Sequence, residues 1–338
     1  MTDVGSGRAI GLRRGDQVRV KSAQEILALL DSVGAVDELP FMPEMLPLCG
    51  QSFEVQARAD KTCDTINLTG CNREMDNTVH LVGARCDGSG HGGCQAGCLL
   101  FFKESWLERT SSPGAQPSVT PSAEGGAGDV DPDEAALSQV LADNTQTSPG
   151  TYRCQATQLL DASRTMPALR HYARDVKTRN VPLLLWLRGV LLSLFDRYQQ
   201  FSRHRLPARL RIGGGEELPI VRGTLTKTPV EHLGLEPGDL VEVKSLAEIR
   251  ATLDGNQRNR NLWYDREMVR YCGTQMRVVR RVERLLDEKT GRMIEMKTPC
   301  VILDGAVCVG DYHKLCPRHV YAYFREIWLR RIPDDGAT

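Results

Sequence analysis

The chain has 338 residues, enough for two or three domains with cores of their own. Apolar residues make up 41% and charged residues 25% of it, which is typical of a soluble globular protein. The 43 basic and 43 acidic side chains balance, so the overall charge gives no indication of a nucleic-acid partner or an acidic substrate.

The N-terminal residues contain no apolar run behind a basic start. This predicts that a secretory signal is absent and that the protein is cytoplasmic, in a reducing compartment. Eleven cysteines in such a compartment favour metal ligation over a disulfide framework.

Two blocks of the chain match each other in register over roughly one hundred residues, the size of a domain. The first begins at Gly11 and the second at Gly234. Facing positions include Cys49 and Cys272, Arg58 and Arg281, Glu44 and Glu267, Glu104 and Glu326, and Trp106 and Trp328. The predicted organisation is a first repeat (8–110), a flexible linker (111–150), a helical connecting segment (151–232) and a second repeat (233–333).

Each repeat shows the same order of elements. An alternating strand follows Gly15-Asp16 or Gly238-Asp239, and a short helix follows Ser22 or Ser245, each with a glutamate three residues later in a capping-box pattern. Apolar residues at helical spacing predict a C-terminal helix in each repeat, and its aromatic stripe is expected to pack in the core: Leu99, Phe102 and Trp106, then Val320, Phe324 and Trp328.

The region between the repeats has a different composition. Residues 111–150 are rich in Ser, Pro, Gly, Ala and Asp, which predicts a disordered linker with one short helix starting near Glu134. An apolar run with flanking arginines lies within 181–211, and it is too short and too charged for a transmembrane span. It predicts either a buried helix that docks the repeats or an interfacial helix that contacts an anionic membrane or an acidic partner.

The same Cys-x4-His-x2-Cys spacing occurs in both repeats. Together with the facing upstream cysteines it predicts two Cys3His sets, which suit tetrahedral zinc. The predicted ligands are Cys49, Cys86, His91 and Cys94 in the first repeat and Cys272, Cys308, His313 and Cys316 in the second.

The remaining thiols leave the identity of the metal undetermined. Cys63, Cys98, Cys154 and Cys300 are possible alternative ligands, and Cys71 is a further surplus thiol. An all-thiolate set suits an iron–sulfur cluster. Such sets are Cys63, Cys86, Cys94 and Cys98 in the first repeat, and Cys272, Cys300, Cys308 and Cys316 in the second. Glu44 and Glu267 recur in both copies, which favours a structural role for them.

The order of elements resembles a small SH3-like barrel with a helix inserted after the first strand. The Gly-Asp-x-Val-x-Val opening resembles KOW-type modules and the barrel in the β subunit of nitrile hydratases. Four short stretches resemble an uncharacterised bacterial family of duplicated cysteine-rich proteins that occur beside natural-product biosynthetic genes. They are Arg58–Thr65, His91–Ala96, Cys316–Arg318 and Trp328–Arg330. The expected fold is therefore α+β, a tandem duplication of an SH3-like barrel with a metal site in each copy.

Three functions stay open on the sequence alone, and no catalytic residue is assigned. Complete four-ligand sets favour a zinc-stabilised scaffold that binds a protein partner. Surplus thiols in the first repeat favour an iron–sulfur or zinc enzyme, or a redox protein, of secondary metabolism. Arginines between Arg258 and Arg284, with Trp263 and Tyr264 available for stacking, favour nucleic-acid binding, against which the balanced charge counts.

Overall fold

The computed structural model describes residues 10–110, 132–167, 170–178 and 180–333. They form two units with helices and antiparallel sheets, which confirms the predicted mixture of α and β structure. The first unit comprises Met1–Pro182 with Leu286–Ile294 and Cys316–Arg318, and the second comprises Leu183–Leu285, Glu295–Leu315 and His319–Thr338. In the described part of the chain, no helix has the length and apolar character to cross a membrane.

The first unit is built mainly from short strands. Its strands are β1 (Gln17–Val20), β2 (Ala35–Val36), β3 (Leu39–Pro40), β4 (Ser52–Arg58), β5 (Lys61–Asp64), β6 (Gly70–Glu74), β7 (Thr78–Arg85), β8 (Leu99–Lys103), β9 (Leu107–Arg109), β10 (Gln146–Ser148), β11 (Thr151–Tyr152) and β12 (Arg164–Thr165). Its helices are α1 (Ala23–Leu27), α2 (Pro132–Thr145) and α3 (Arg170–Thr178). A curled antiparallel sheet in the order β8-β7-β4-β1-β9 carries the core, and a smaller sheet has the order β12-β6-β5.

The second unit repeats the strand order of the first. Its elements are α4 (Leu183–Arg205), β13 (Leu240–Val243), α5 (Leu246–Arg250), β14 (Arg258–Asn259), β15 (Leu262–Trp263), β16 (Gln275–Leu286), β17 (Met293–Val307), β18 (Tyr321–Phe324) and β19 (Leu329–Arg331). The hairpin tip between β16 and β17 belongs to the first unit. The main sheet has the order β18-β17-β16-β13-β19, in which each strand takes the place of its sequence counterpart.

The helix after the first strand forms as its capping pattern predicts. Ser22 accepts a hydrogen bond from the Glu25 N–H, and the Glu25 carboxylate accepts one from the Ser22 N–H. Ser245 and Glu248 make the same reciprocal pair at the start of α5. These bonds satisfy N–H groups that a helix start leaves without an intrahelical partner.

The prediction of a C-terminal helix in each repeat was wrong. The stretch from Leu99 is strand β8, which continues through a 3-10 turn at Glu104–Trp106 into strand β9. The second unit has β18, a turn at Glu326–Trp328 and β19 at the same place. The helix-like spacing of the aromatic residues arises because one turn joins two strands. All five residues of β8 are buried, so no polar face distinguishes strand from helix.

A buried glutamate anchors the chain ahead of the first strand in each unit. Glu104 accepts hydrogen bonds from the N–H groups of Gly11 and Leu12, and Arg58 Nη1 lies 2.6 Å from its Oε1. Glu326 does the same in the second unit, with three backbone N–H donors from Leu233 to Leu235 and Arg281 at 2.6 Å.

The region between the repeats contains ordered structure. Within the predicted linker, residues 111–131 lie outside the described residues, whereas α2 buries Leu137 and Leu141. Leu141 Cδ2 would lie 3.5 Å from a Cβ built on Gly34. The predicted helical segment contains α3 and α4, with α3 in the first unit and α4 in the second.

We expect Glu326→Gln to lower the free energy of unfolding of the second unit by about 2 kcal/mol at neutral pH, because the half-buried Arg281 loses its buried carboxylate partner. Burial opposes ionisation of Glu326, but Arg281 and the N–H donors outweigh it and hold the pKa of this carboxyl below its ordinary value. A depressed pKa stabilises the fold above the ordinary glutamate pKa, and that contribution is lost as the pH falls through the folded-state value.

The measurement is urea unfolding from neutral to acid pH. The difference between Glu326→Gln and wild type should shrink below about pH 4.5. The control is Glu242→Gln, which breaks the half-exposed pair with Arg330 and should cost less than about 1 kcal/mol. Equal losses in the two variants would contradict the anchoring role of Glu326.

Candidate metal centres

The loop between β7 and β8 brings its cysteines and histidine together through its glycines. The Cys86 N–H donates to the Cys98 carbonyl at 2.8 Å and closes the base of the loop. Gly88 has a φ of 80°, and a Cβ there would lie 2.0 Å from the Cys94 carbonyl oxygen. Only glycine allows so close an approach of backbone to backbone.

A buried glutamate completes the first group of ligands. Glu44 lies on the 3-10 turn Pro43–Leu48, and its side chain is 1% exposed. One oxygen, Oε1, accepts the Gly90 N–H at 2.9 Å and lies 2.6 Å from His91 Nδ1. The Cys86 sulfur is 3.7 Å from His91 Nε2. One ligand atom from each of Glu44, Cys86 and His91 lies within 4.8 Å of the others.

The second unit holds an equivalent group. Glu267, on the 3-10 turn Arg266–Tyr271, accepts the Tyr312 N–H at 2.6 Å, one residue before His313. Glu267, Cys308 and His313 place their ligand atoms within 4.8 Å of one another. Asp265 Oδ2 lies 2.7 Å from His313 Nε2, which is the carboxylate contact that orients many metal-binding histidines.

One oxygen of each carboxylate is left over. Glu44 Oε2 and Glu267 Oε2 are buried and have no hydrogen-bond partner among the described residues. A buried carboxylate oxygen without a donor is costly, and a bound cation removes that cost.

The electrostatics of the first group favour a charged histidine beside a thiolate. Burial opposes protonation of His91, but its contacts with Cys86, Cys94 and Glu44 outweigh burial and raise its pKa well above the ordinary value. Burial also favours the thiol form of Cys94, yet the His91 contact lowers the pKa of that thiol. Burial raises the pKa of Cys86. The site thus collects negative ligand charge that either a proton or a metal ion can balance.

The upstream cysteines of the predicted sets occupy other positions. Cys49 and Cys272 cap the ends of the 3-10 turns that carry the two glutamates, and within the described residues neither belongs to a ligand group. Cys272 Sγ lies 3.4 Å from the Tyr264 hydroxyl. Burial raises the pKa of Cys49 to about 11.

The last predicted ligand of each set, Cys94 or Cys316, differs between the two units. Cys94 contacts His91 and its sulfur accepts the Leu286 N–H at 3.4 Å. Cys316 instead lies with Cys63 and Cys71 in the first unit, where the three sulfurs are within 4.8 Å of one another.

The possible alternative ligands also lie in different parts of the structure. Cys98 and Cys154 line a cavity of about 40 Å³ in the first unit, together with Cys86, His91 and Cys94. Burial raises the pKa of both Cys98 and Cys154. Cys300 packs in an apolar cluster with Val282 and Ile302, and burial raises its pKa to about 12.

Glu44, Glu267 and Cys71 are the group members that the sequence did not assign as ligands. For the glutamates a signal was present, because both recur in register four residues before the end of their turns. Cys71 has no counterpart to mark it.

A scan against protein-family models found no match, and comparisons with curated proteins and with solved structures found no significant similarity.

We expect Gly90→Ala to lower the free energy of unfolding of the first unit by about 1–3 kcal/mol, the usual cost of an overpacked site. A Cβ at Gly90 would lie 2.7 Å from the Pro43 Cβ and 3.2 Å from Glu44 Oε1, so the loop must move away from the turn. Urea unfolding measures the loss. Gly255→Ala, with no neighbour within 4 Å, is the control and should change little. A Gly90→Ala protein as stable as the control would contradict the tight fit of loop and turn.

Proposed function

We propose that the protein is a metal-binding scaffold in which each repeat holds one ion, zinc, at its glutamate, cysteine and histidine. The observation that carries this proposal is a pair of buried glutamates, Glu44 and Glu267, each grouped with a thiol and an imidazole and each with a buried oxygen, Oε2, that has no hydrogen-bond partner among the described residues. Carboxylate, thiolate and imidazole are the ligands that zinc takes in proteins.

The two sites differ in how many ligands the chain supplies. In the first unit Glu44, Cys86 and His91 would hold the ion, and Cys94 beside His91 offers a fourth ligand. Four protein ligands are typical of a closed structural site. In the second unit the counterpart of Cys94 belongs to another group, so three protein ligands leave one position for water or for a donor from a bound partner.

A scaffold role also agrees with the shared architecture. Both units have the same order of five strands, with a 3-10 turn and a Cys/His loop at equivalent positions, which supports a duplicated SH3-like module. Each proposed ion would link the turn to the loop, two segments far apart in sequence. Such a cross-link stabilises a small barrel because metal binding and folding are coupled.

The test is metal content and a visible spectrum on protein purified without chelators and without oxygen. We expect a colourless protein, and we expect Glu44→Gln/Cys86→Ser and Glu267→Gln/Cys308→Ser each to contain one zinc fewer per chain than wild type. Cys300→Ser, a buried thiol outside the described ligand groups, is the control and should keep the wild-type content. Unchanged zinc in both double variants would contradict the proposal. Iron with sulfide and a brown colour would replace it with the iron–sulfur alternative.

A second proposal concerns the exposed face of α4. Leu184, Leu187, Leu191 and Leu194 are 49–81% exposed and follow one another at spacings of three and four residues, so they form a stripe along the helix. We call these four side chains the leucine stripe.

The rest of the second unit contacts other residues of the helix. Gly189 is buried against Leu315, where a Cβ would lie 2.9 Å from the leucine side chain. The buried Gln199 amide donates to the Ile212 and Glu216 carbonyls at 2.9 and 2.8 Å. The buried residues of the helix, Gly189, Gln199 and Ser202, are thus small or polar, whereas the four leucines are exposed, unlike the pattern of an ordinary surface helix.

Charge complementarity indicates what covers the leucine stripe. Arg188, Arg197 and Arg205 on α4 are exposed, and the only acidic residue of the helix, Asp196, pairs with Arg266 at 2.9 Å. Leucines flanked by arginines favour the interface of an anionic membrane, where the helix would lie in the plane of the headgroups. We propose that α4 places the scaffold on such a surface.

We expect the protein to sediment with vesicles of phosphatidylserine and phosphatidylcholine, less with phosphatidylcholine alone, and to be released by high salt. Leu187→Ser/Leu191→Ser should lower the bound fraction at least tenfold. The control Val279→Ser changes an exposed residue of β16 and should bind as wild type. Equal binding by the leucine variant would overturn the proposal. If wild type were a dimer and the leucine variant a monomer, the leucine stripe would instead be the contact between two copies of the chain.

A further inference from the structure

The three sulfurs of Cys63, Cys71 and Cys316 form a group separate from the glutamate, cysteine and histidine sites. Cys63 lies on β5 and Cys71 lies opposite it on β6, as partners in the antiparallel pair. Cys316 belongs to the short segment that the first unit takes from the distant part of the chain. All three sulfurs lie within 4.8 Å of one another.

The hairpin that carries two of these cysteines is held at a fixed geometry. The Asp64 carboxylate accepts hydrogen bonds from the Asn67 N–H at 2.8 Å, the Asn67 side-chain amide at 3.2 Å and the Thr69 hydroxyl at 3.0 Å. These bonds close the turn between β5 and β6. The two thiols therefore face each other before any ligand binds.

Buried cations surround the sulfurs. Hydrogen bonds from Cys63 and Cys71 lower the pKa of Cys316 well below its ordinary value, and the charge of Arg318 acts in the same direction. Arg318 is 2% exposed and donates to the Thr65 hydroxyl at 2.7 Å. The contacts with Cys316, together with burial, raise the pKa of Cys63 and Cys71 well above the ordinary value, although the charge of Lys61, which is 2% exposed, opposes this shift at Cys71. Cys71 and Cys316 are 1% and 3% exposed. The group therefore combines one thiolate with two thiols, and a metal ion would displace the two thiol protons.

Within the described residues the group contains no carboxylate or imidazole. Asp64 is bound in its own turn, and Asp175 forms an ion pair with Lys61 at 2.6 Å. Hard ions such as magnesium and calcium need oxygen ligands, so the donor set excludes them. Three thiolates select soft, thiophilic ions.

We propose that Cys63, Cys71 and Cys316 bind one thiophilic metal ion through three thiolates, as a third metal site that differs in ligand chemistry from the two described above. Binding exchanges thiol protons, which pass to solvent, for sulfur–metal bonds, and it requires no oxidant or reductant. The site also joins three separate segments of the first unit. Its success or failure is independent of the other two sites.

The test uses cadmium as the probe, because cadmium thiolates have an ultraviolet charge-transfer absorbance. Reduced protein is titrated with Cd²⁺ without oxygen, and the absorbance and the bound cadmium are measured together. We expect Cys71→Ser to bind one cadmium fewer per chain than wild type and to lose the part of the absorbance due to three thiolates. Cys300→Ser is the matched control, since it removes a buried thiol outside the described groups and should titrate as wild type.

A further variant separates this site from the other two. Glu44→Gln/Cys86→Ser combined with Glu267→Gln/Cys308→Ser should still bind one cadmium, and X-ray absorption should show a shell of three sulfurs around it. This measurement leaves the three cysteines intact, so it does not depend on how well Cys71→Ser folds. A mixed sulfur, nitrogen and oxygen shell, wild-type titration by Cys71→Ser, or a Cys63–Cys71 disulfide in protein blocked under anaerobic conditions would each overturn the proposal.

Discussion

A buried glutamate that accepts a backbone N–H just before a histidine fixes the Cys/His loop in each unit. The Gly90 N–H to Glu44 and the Tyr312 N–H to Glu267 are the same contact in two copies. Each contact ties the loop to a 3-10 turn far upstream, and it puts carboxylate, imidazole and thiol within reach of one another. Without it the loop would have no fixed distance to the turn, and the cysteine and histidine would form a motif in sequence without forming a site in space.

The two loops also share backbone features although their residues differ. Gly92 and Gly93 have positive φ angles in the first loop, and Lys314 and Leu315 have them in the second. Non-glycine residues adopt this region at a cost, so the surrounding structure must enforce it. The Leu315 N–H donates to the Gly310 carbonyl at 2.7 Å, as the Gly93 N–H does to Gly88 at 2.9 Å. A shared hydrogen-bond pattern, rather than a shared composition, therefore defines the loop.

Much of this arrangement could be predicted from local pattern. The capping boxes, the first strand of each repeat and the Cys/His loops depend on residues close together in sequence, and the structure has them where the pattern places them. The strand after each loop was mistaken for a helix because a buried strand with a turn produces the same aromatic spacing as a helix. Comparison of the two repeats assumes that residues at matching positions have the same role. Cys94 and Cys316 match in sequence but contact different partners, which only the tertiary structure shows.

The first unit includes Leu286–Ile294 and Cys316–Arg318, although its other residues precede position 183. During synthesis these two segments leave the ribosome long after the first sheet has emerged. Domains usually fold as units from the N-terminal end, so the first unit must wait in an unfinished state while most of the second unit is made. The thiols of Cys63 and Cys71 stay without their third sulfur for that whole interval. The order of translation therefore places the completion of the first unit after the main strands of the second have already been made.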